Sequence, residues 1–219
     1  MISSFVIKIK GLFPTKFKTF LKKFRKFNGY DQLDKKMLNY INYQNGYYIE
    51  CGANDGVNQS NTWYLEKKLG WKGILIEPVD KAFIQLKNNR SSKNVFINKA
   101  LKSFKYSKNF TILKLNSKDT LSTRSTPDDV KDRIDIKVKV DNLNSILKKS
   151  KAPKIIDFFS LDVEGDEFEV LRGIDFKIYK FKYILIETYQ PNKIRVFLEK
   201  YRYKYIKKIS QRNDYLFKI

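Results

Sequence analysis

The sequence predicts an α/β fold: a mainly parallel seven-stranded sheet with helices on both faces, finished by an antiparallel hairpin. Three observations carry that expectation. From Tyr47 onward, near-continuous apolar runs alternate with amphipathic segments, as in a parallel sheet buried on both faces. Two of those runs, Tyr48 to Cys51 and Gly73 to Glu77, bring an acid to a strand end about one βαβ unit apart. The last two runs are separated only by the polar Ser210-Gln-Arg-Asn-Asp214, which leaves no room for a crossover helix.

Taken in order, strands are expected at Tyr47 to Glu50, Ile74 to Glu77, Val95 to Asn98, Ile156 to Leu161 and Tyr183 to Glu187. Helical spacing of apolar residues places helices at Asn61 to Leu69, Asp80 to Asn88, Glu167 to Leu171 and Asn192 to Tyr201. The closing hairpin uses Tyr203 to Ile209 and Tyr215 to Ile219. Between the third and fourth sheet strands the pattern is least regular: a strand at Phe110 to Leu115, a polar loop from Asn116 to Asp129, and an alternating strand at Ile136 to Val140. Loops of that length in compact domains are functional or disordered.

The chain divides into a basic amphipathic extension, residues 1–45, and the α/β domain, residues 46–219. Before Asp31 there is no acid, while eight Lys or Arg are interleaved with Phe13, Phe17, Phe20, Leu21, Phe24 and Phe27 at helical spacing. Pro14 and Gly29 suit the entry and exit of such a helix. Its aromatic face would lie on anionic lipid or dock on the domain.

Composition narrows the chemistry. The single Cys51 excludes an intramolecular disulfide framework and fits a reducing, cytoplasmic setting. Without histidine to activate it, Cys51 reads as a small buried filler. Any general base must then be Asp, Glu, Lys or Tyr, and any metal site would be built of oxygens, favouring Mg²⁺ or Mn²⁺. The formal charge of +22 points toward nucleic acid or anionic lipid, but 37 of the 45 basic residues are Lys and only eight are Arg. Such a lysine surface, with abundant Asn, Ile and Tyr, is what an AT-rich genome produces, so nucleic acid is disfavoured as a partner. No run of 18 apolar residues exists and no secretory signal is evident, so the expectation is a cytoplasmic protein, peripheral at a membrane if the basic helix meets lipid.

Two constellations carry the function. In Glu50-Cys-Gly-Ala-Asn-Asp-Gly56 the glycines bracket a strand-to-helix turn that can approach a ligand closely. Glu50 can bind an ammonium or a ribose hydroxyl, Asn54 and Asp55 can cap the following helix, and Glu77 can accept from two ribose hydroxyls. The dinucleotide pattern G-x-G-x-x-G is absent, which favours a single nucleoside over NAD. In Ser160-Leu-Asp-Val-Glu-Gly-Asp-Glu167, Asp162 and Glu164 lie on a turn at the carboxyl edge, where Glu187 joins them from the next strand end. Three converging carboxylates suit deprotonation of a hydroxyl or capture of a cation. Asp166 and Glu167 read simply as helix N-terminal acids.

With these motifs, the sequence resembles the FkbM-type methyltransferases over Gly46 to Ile219. The resemblance rests on Glu50-Cys-Gly-Ala-Asn-Asp-Gly56, Ser60-Asn-Thr-Trp-Tyr-Leu-Glu66, Gly70-Trp-Lys-Gly-Ile-Leu-Ile-Glu-Pro78, Phe159-Ser-Leu-Asp-Val-Glu-Gly165, Val170-Leu-Arg-Gly173 and Asn213-Asp-Tyr-Leu-Phe217. It implies a Rossmann-like class I methyltransferase that uses S-adenosylmethionine to O-methylate a sugar or glycan, lipid- or nucleotide-linked acceptors included. By that resemblance Glu50, Gly52 and Asn54 surround the methionine part of the cofactor, Glu77 the ribose, and Asn98 to Leu101, with Ala100 among them, the adenine. Asp55, Asn61 and Pro78 complete the candidate cofactor set. Asp162 is the expected base or metal ligand, with Glu164 and Glu187 positioning the acceptor or the ion, and the Asn116 to Asp129 loop is assigned to the acceptor. The alternative, methyl transfer to nucleic acid or another anionic acceptor, is disfavoured by Asp162-Val-Glu-Gly165, where amino-methylating enzymes carry a Pro-Pro-aromatic turn.

Overall fold

A computed structural model describes residues 26–116 and 133–219. A 3-10 turn, Tyr30–Gln32, leads into α1, Leu33–Met37, and then β1, Tyr47–Cys51. There follow α2 (Trp63–Leu69), β2 (Lys72–Ile76), α3 (Asp80–Asn89), β3 (Val95–Ile97) and β4 (Ala100–Leu101). After β5 (Phe110–Asn116) and β6 (Arg133–Asp141) come α4 (Leu143–Lys149), β7 (Ile155–Leu161), α5 (Glu167–Leu171), β8 (Lys180–Glu187), α6 (Pro191–Glu199), β9 (Lys204–Lys208) and β10 (Asp214–Lys218).

Seven strands form one sheet in the order β3-β2-β1-β7-β8-β10-β9. The first five are parallel, and β10 and β9 run antiparallel at the edge. All seven are the strands expected from sequence, with ends shifted by at most three residues, the most at the start of β8. One face packs Ile49, Ile74, Phe159 and Ile184 against Leu143, Ile146, Val170, Ile194 and Leu198 of α4, α5 and α6. The other packs Tyr48, Leu75, Phe158, Leu185 and Leu216 against Leu33 and Met37 of α1, Leu65 of α2 and Leu86 of α3. Burial of such side chains stabilises by roughly 1.5–3 kcal/mol each. β4, β6 and β5 form a separate three-stranded sheet.

Local chemistry explains the boundaries. Gly70, left-handed at φ +67°, ends α2 and donates to the Leu65 carbonyl. Asn142 caps α4 by accepting from the Ser145 N–H at 2.8 Å, and Pro191 opens α6 at its first turn. The helix expected from Asn61 starts at Trp63, because the Asn61 N–H donates instead to Glu50 at 2.7 Å.

The described end of the N-terminal extension is built into the domain, with Leu33, Met37 and Ile41 fully buried. The amphipathic helix expected from Pro14 lies outside the described residues except for its end, where Phe27 stacks on Tyr64 with ring centroids 4.8 Å apart. Beyond Asn116, the polar loop also lies outside them. Among the described residues no helix is long and apolar enough to cross a membrane.

Candidate active site

At the carboxyl edge of the sheet, the turns after β1, β2 and β7 border a cleft. Gly52, Glu77, Pro78, Ala100, Leu101 and Asp162, all among the candidate site residues, line it. Lys99, from the stretch assigned to the adenine, and Asp166, read from sequence only as a helix N-terminal acid, line it as well, as do Leu113 and Val163. Leu113 comes from β5, so the small sheet forms one wall. The Lys99 ammonium is tied back to Asp141 at 2.8 Å.

Gly52 shows why a side chain is excluded at this point. Its φ is +80°, its N–H donates to the Ile76 carbonyl at 3.0 Å, and an added Cβ would lie 1.8 Å from the Asp162 carbonyl oxygen. The close approach is therefore first of all to the neighbouring turn, and it brings Asp162 beside the cleft. Glu77 accepts from the N–H groups of Asn54 and Val79, both at 2.9 Å. Burial pushes its carboxyl up to about 7. Asn54 is left-handed at φ +49°, and its Oδ1, like Asn61 Oδ1, is buried without a hydrogen-bond partner. Unsatisfied buried acceptors are costly, and both of these lie on the segment between β1 and α2.

Glu50 has a different environment. Its carboxylate accepts from Ser60 Oγ, from the Asn61 N–H at 2.7 Å and from Thr62 Oγ1 at 2.7 Å, and it pairs with Arg90 at 3.3 Å. The fully buried Arg90 also bonds Glu66 at 2.7 Å, Tyr48 Oη at 2.8 Å and the Gly56 carbonyl at 3.2 Å. Burial opposes the charge on Glu66, yet Arg90 and Lys67 hold its carboxyl down at about 2. Gly56, at φ +78°, leaves the space Arg90 needs, since a Cβ there would meet Arg90 Cγ at 2.8 Å. Glu50 thus shapes the cofactor turn from behind and does not line the cleft. Asp55 accepts from the N–H groups of Val57 and Asn58, and Asn98 donates to the Glu77 and Pro78 carbonyls, so both brace loops. The sequence held one signal for Arg90, an arginine in a chain whose bases are overwhelmingly lysine.

The second constellation forms a carboxylate row. Glu50 pairs with Ser160, Ser160 with Leu185, and Glu187 with Asp214, so Ser160, Asp162, Glu187 and Asp214 fall on one face by strand alternation. Burial and then Glu187, Glu164, Glu167 and Asp214 hold the Asp162 carboxyl well above the ordinary range. Asp214, the member sequence reasoning missed, is buried and pushed up to about 6, while Ser210 Oγ donates to it. Glu167 does more than complement a helix end: Oε1 accepts from the Val163 and Gly165 N–H groups and holds the Asp162 turn closed. Asp166 pairs with Lys102. Burial raises the Cys51 thiol, as suits a filler. Among the described residues no group of three or more acidic or thiol side chains is arranged to hold a metal ion, so the Mg²⁺ or Mn²⁺ that Asp162, Glu164 and Glu187 suggested has no ready donor set there.

The sequence profile described as "Methyltransferase FkbM domain" matches residues 50–205. A methyltransferase FkbM crystal structure from Methylobacillus flagellatus KT superposes with a TM-score of 0.51 at 14% identity, covering 83% of this chain and 45% of that one. This chain therefore spans less than half the length of that structure. The METTL16 MTase domain (TM-score 0.48, 12% identity, 86% and 64% covered) and a precorrin-6y C5,15-methyltransferase from Geobacter metallireducens GS-15 (0.44, 12%, 88% and 93%) are more distant in shape. No curated protein matches the chain significantly.

Proposed function

The chain belongs to the FkbM methyltransferase family, and from that premise we propose that it transfers a methyl group from S-adenosylmethionine to a hydroxyl of a sugar or glycan. The observation that carries this reading is the double membership of Asp162, which lines the cleft and also stands in the carboxylate row. A residue at that junction can serve an acceptor oxygen on one side and a cofactor on the other.

When bound, S-adenosylmethionine supplies an electrophilic methyl group on its sulfonium. The residues present fit that cofactor. Glu77 can accept from the ribose hydroxyls, Asn54 and Asn61 offer unpaired oxygens to an ammonium, and Ala100, Leu101 and Leu113 give the apolar walls that an adenine ring requires. Glu50 and Arg90 act indirectly, by fixing the turn that carries Asn54 and Asn61. A sugar hydroxyl is a poor acid, so the protein must align it and remove its proton. Asp162 is the proposed base. Once ionised, its carboxylate is a stronger base than that of an ordinary aspartate, and Glu187 and Glu164 hold the acceptor hydroxyl in reach.

Titration with S-adenosylhomocysteine and a radiolabelled methyl-transfer assay test this together. Asp162→Asn keeps the shape but cannot take a proton, so transfer should fall by about 10²–10⁴-fold while cofactor affinity stays near wild type. Wild-type turnover by Asp162→Asn would rule out the assigned base, and absence of S-adenosylhomocysteine binding by the intact chain would rule out the cofactor.

A further inference from the structure

Residues 28–36 lie outside the region matched by the family profile and run as a strap from the turn after β1 to the loop before β10. At one end Gly29 bridges to Gln59 of the cofactor turn, and its backbone passes so close to Asn61 that a Cβ would sit 2.9 Å from Asn61 Oδ1. At the other end the strap is tied to the loop that leads into β10. Gln211 N–H donates to Asp31, Lys36 Nζ donates to Asp31 at 2.7 Å and to the Ile209 carbonyl at 3.0 Å, and the Arg212 guanidinium lies 3.7 Å from the Tyr30 ring centroid. Asp31 and Gln32 take left-handed angles, φ +48° and +55°, to make this crossing. Leu33 and Met37 anchor the strap on the sheet face that carries the carboxylate row.

Arg212 is unusual in this setting. It is half-buried and stacked on an aromatic ring; among the described residues no carboxylate lies within salt-bridge distance of it, although its charge reaches Asp214 and partly offsets the rise in that carboxyl. Two positions further on lies Asp214, which faces Glu187. A stacked guanidinium keeps its N–H edges free and pre-oriented for oxygen acceptors, and it is suited to bidentate capture of a carboxylate or phosphate. The carboxylate row would repel an anionic acceptor, and Arg212, two residues from Asp214 and within electrostatic reach of it, supplies a counter-charge beside the row. Tyr189, strongly exposed, follows Thr188, whose N–H donates to the Asn213 carbonyl, so a second ring stands beside the same loop.

We propose that Tyr30 and Arg212 form an acceptor subsite that binds a carboxylate or phosphate group carried by the acceptor ring, and that the strap gives this chain its acceptor selectivity. The proposal rests on the sugar-methylation reading and deepens it. The test uses the full chain loaded with S-adenosylhomocysteine and calorimetric titration with galactose, galactose 1-phosphate, galacturonic acid and inorganic phosphate. Wild type should bind the two anionic sugars at least tenfold more tightly than galactose, and Arg212→Gln and Tyr30→Ala should each abolish that preference. Arg195→Gln, whose exposed side chain pairs with Glu199 away from the site, should keep it. The two anionic sugars distinguish phosphate from carboxylate as the group held. Equal binding of neutral and anionic sugars, a preference that survives Arg212→Gln, or phosphate alone binding as tightly as the sugar phosphate would each overturn the subsite. If S-adenosylhomocysteine binds but none of the sugars does, the sugar reading fails and the subsite fails with it.

Discussion

Glu77 couples cofactor binding to pH in a way that can be worked through from its surroundings. In the free protein, burial raises its carboxyl from 4.5 to about 7 although two backbone N–H groups already point at it. The folded state thus holds this proton more tightly than the unfolded chain. The resulting contribution, about 3 kcal/mol at 1.36 kcal/mol per pKa unit, is fully present below about pH 4.5 and is lost as pH rises through about 7. On the proposed assignment, ribose hydroxyls would donate to the ionised form, so cofactor binding would expel the proton. Affinity for S-adenosylhomocysteine should then fall on acidification, by roughly 25-fold between pH 7.5 and 5.5 in the limit where only ionised Glu77 binds.

Glu77→Gln separates charge from shape. The amide keeps one acceptor oxygen for the backbone but cannot ionise, and loss of a charge-assisted partner should weaken binding by about 1.5–3 kcal/mol, roughly 10- to 150-fold near pH 7.5. Its affinity should no longer carry the acid-side fall assigned to this group, and the thermal midpoint of the free variant should lose the corresponding decline between pH 5 and 8. Calorimetric titration at several pH values, with thermal melts alongside, gives both readings. Asp214 and Asp162 also titrate abnormally, so the comparison with Glu77→Gln is what isolates Glu77. Wild-type affinity that is flat over this range, together with equal affinity in Glu77→Gln, would refute the ribose assignment.

Three further outcomes follow from the packing. Gly52→Ala should lose both cofactor binding and activity, because a methyl group 1.8 Å from the Asp162 carbonyl must drive the two turns apart; an alanine variant with normal turnover would show that this approach is not needed. Arg90→Met should destabilise by about 3–5 kcal/mol in urea melts, since Glu50 and Glu66 would be left as buried acids without their cation; an unchanged midpoint would mean that the network contributes no net stability. Removing residues 1–25, with seven basic residues and no acid, should abolish salt-sensitive binding to anionic vesicles at about 1 kcal/mol per basic side chain while leaving cofactor affinity intact; loss of cofactor binding would instead assign the Phe stripe to the core.

Which features were legible in the sequence follows from how local their causes are. The seven sheet strands could be read because strands buried on both faces are apolar along their whole length. α4 also left a signal, Asn142 as cap with Leu143, Ile146 and Leu147 at helical spacing, that was not picked out. By contrast α1, five residues long with two lysines and an aspartate, is too short for periodicity to register, and its burial is decided by the sheet face it meets. The acids at strand ends were readable as positions, because the carboxyl edge is set by chain direction alone. Where each carboxylate points was not. Glu50 shares a strand face with Tyr48, and its direction is settled by Arg90, forty residues away in sequence and in contact only after folding. Asp162 and Glu187 share the row with Asp214, which enters from the antiparallel hairpin. The site is therefore a product of register. Strand ends supply the acids, register sets Glu50, Glu77, Asp162, Glu187 and Asp214 on one face, and a buried arginine draws Glu50 inward while Glu77 and Asp162 remain on the cleft.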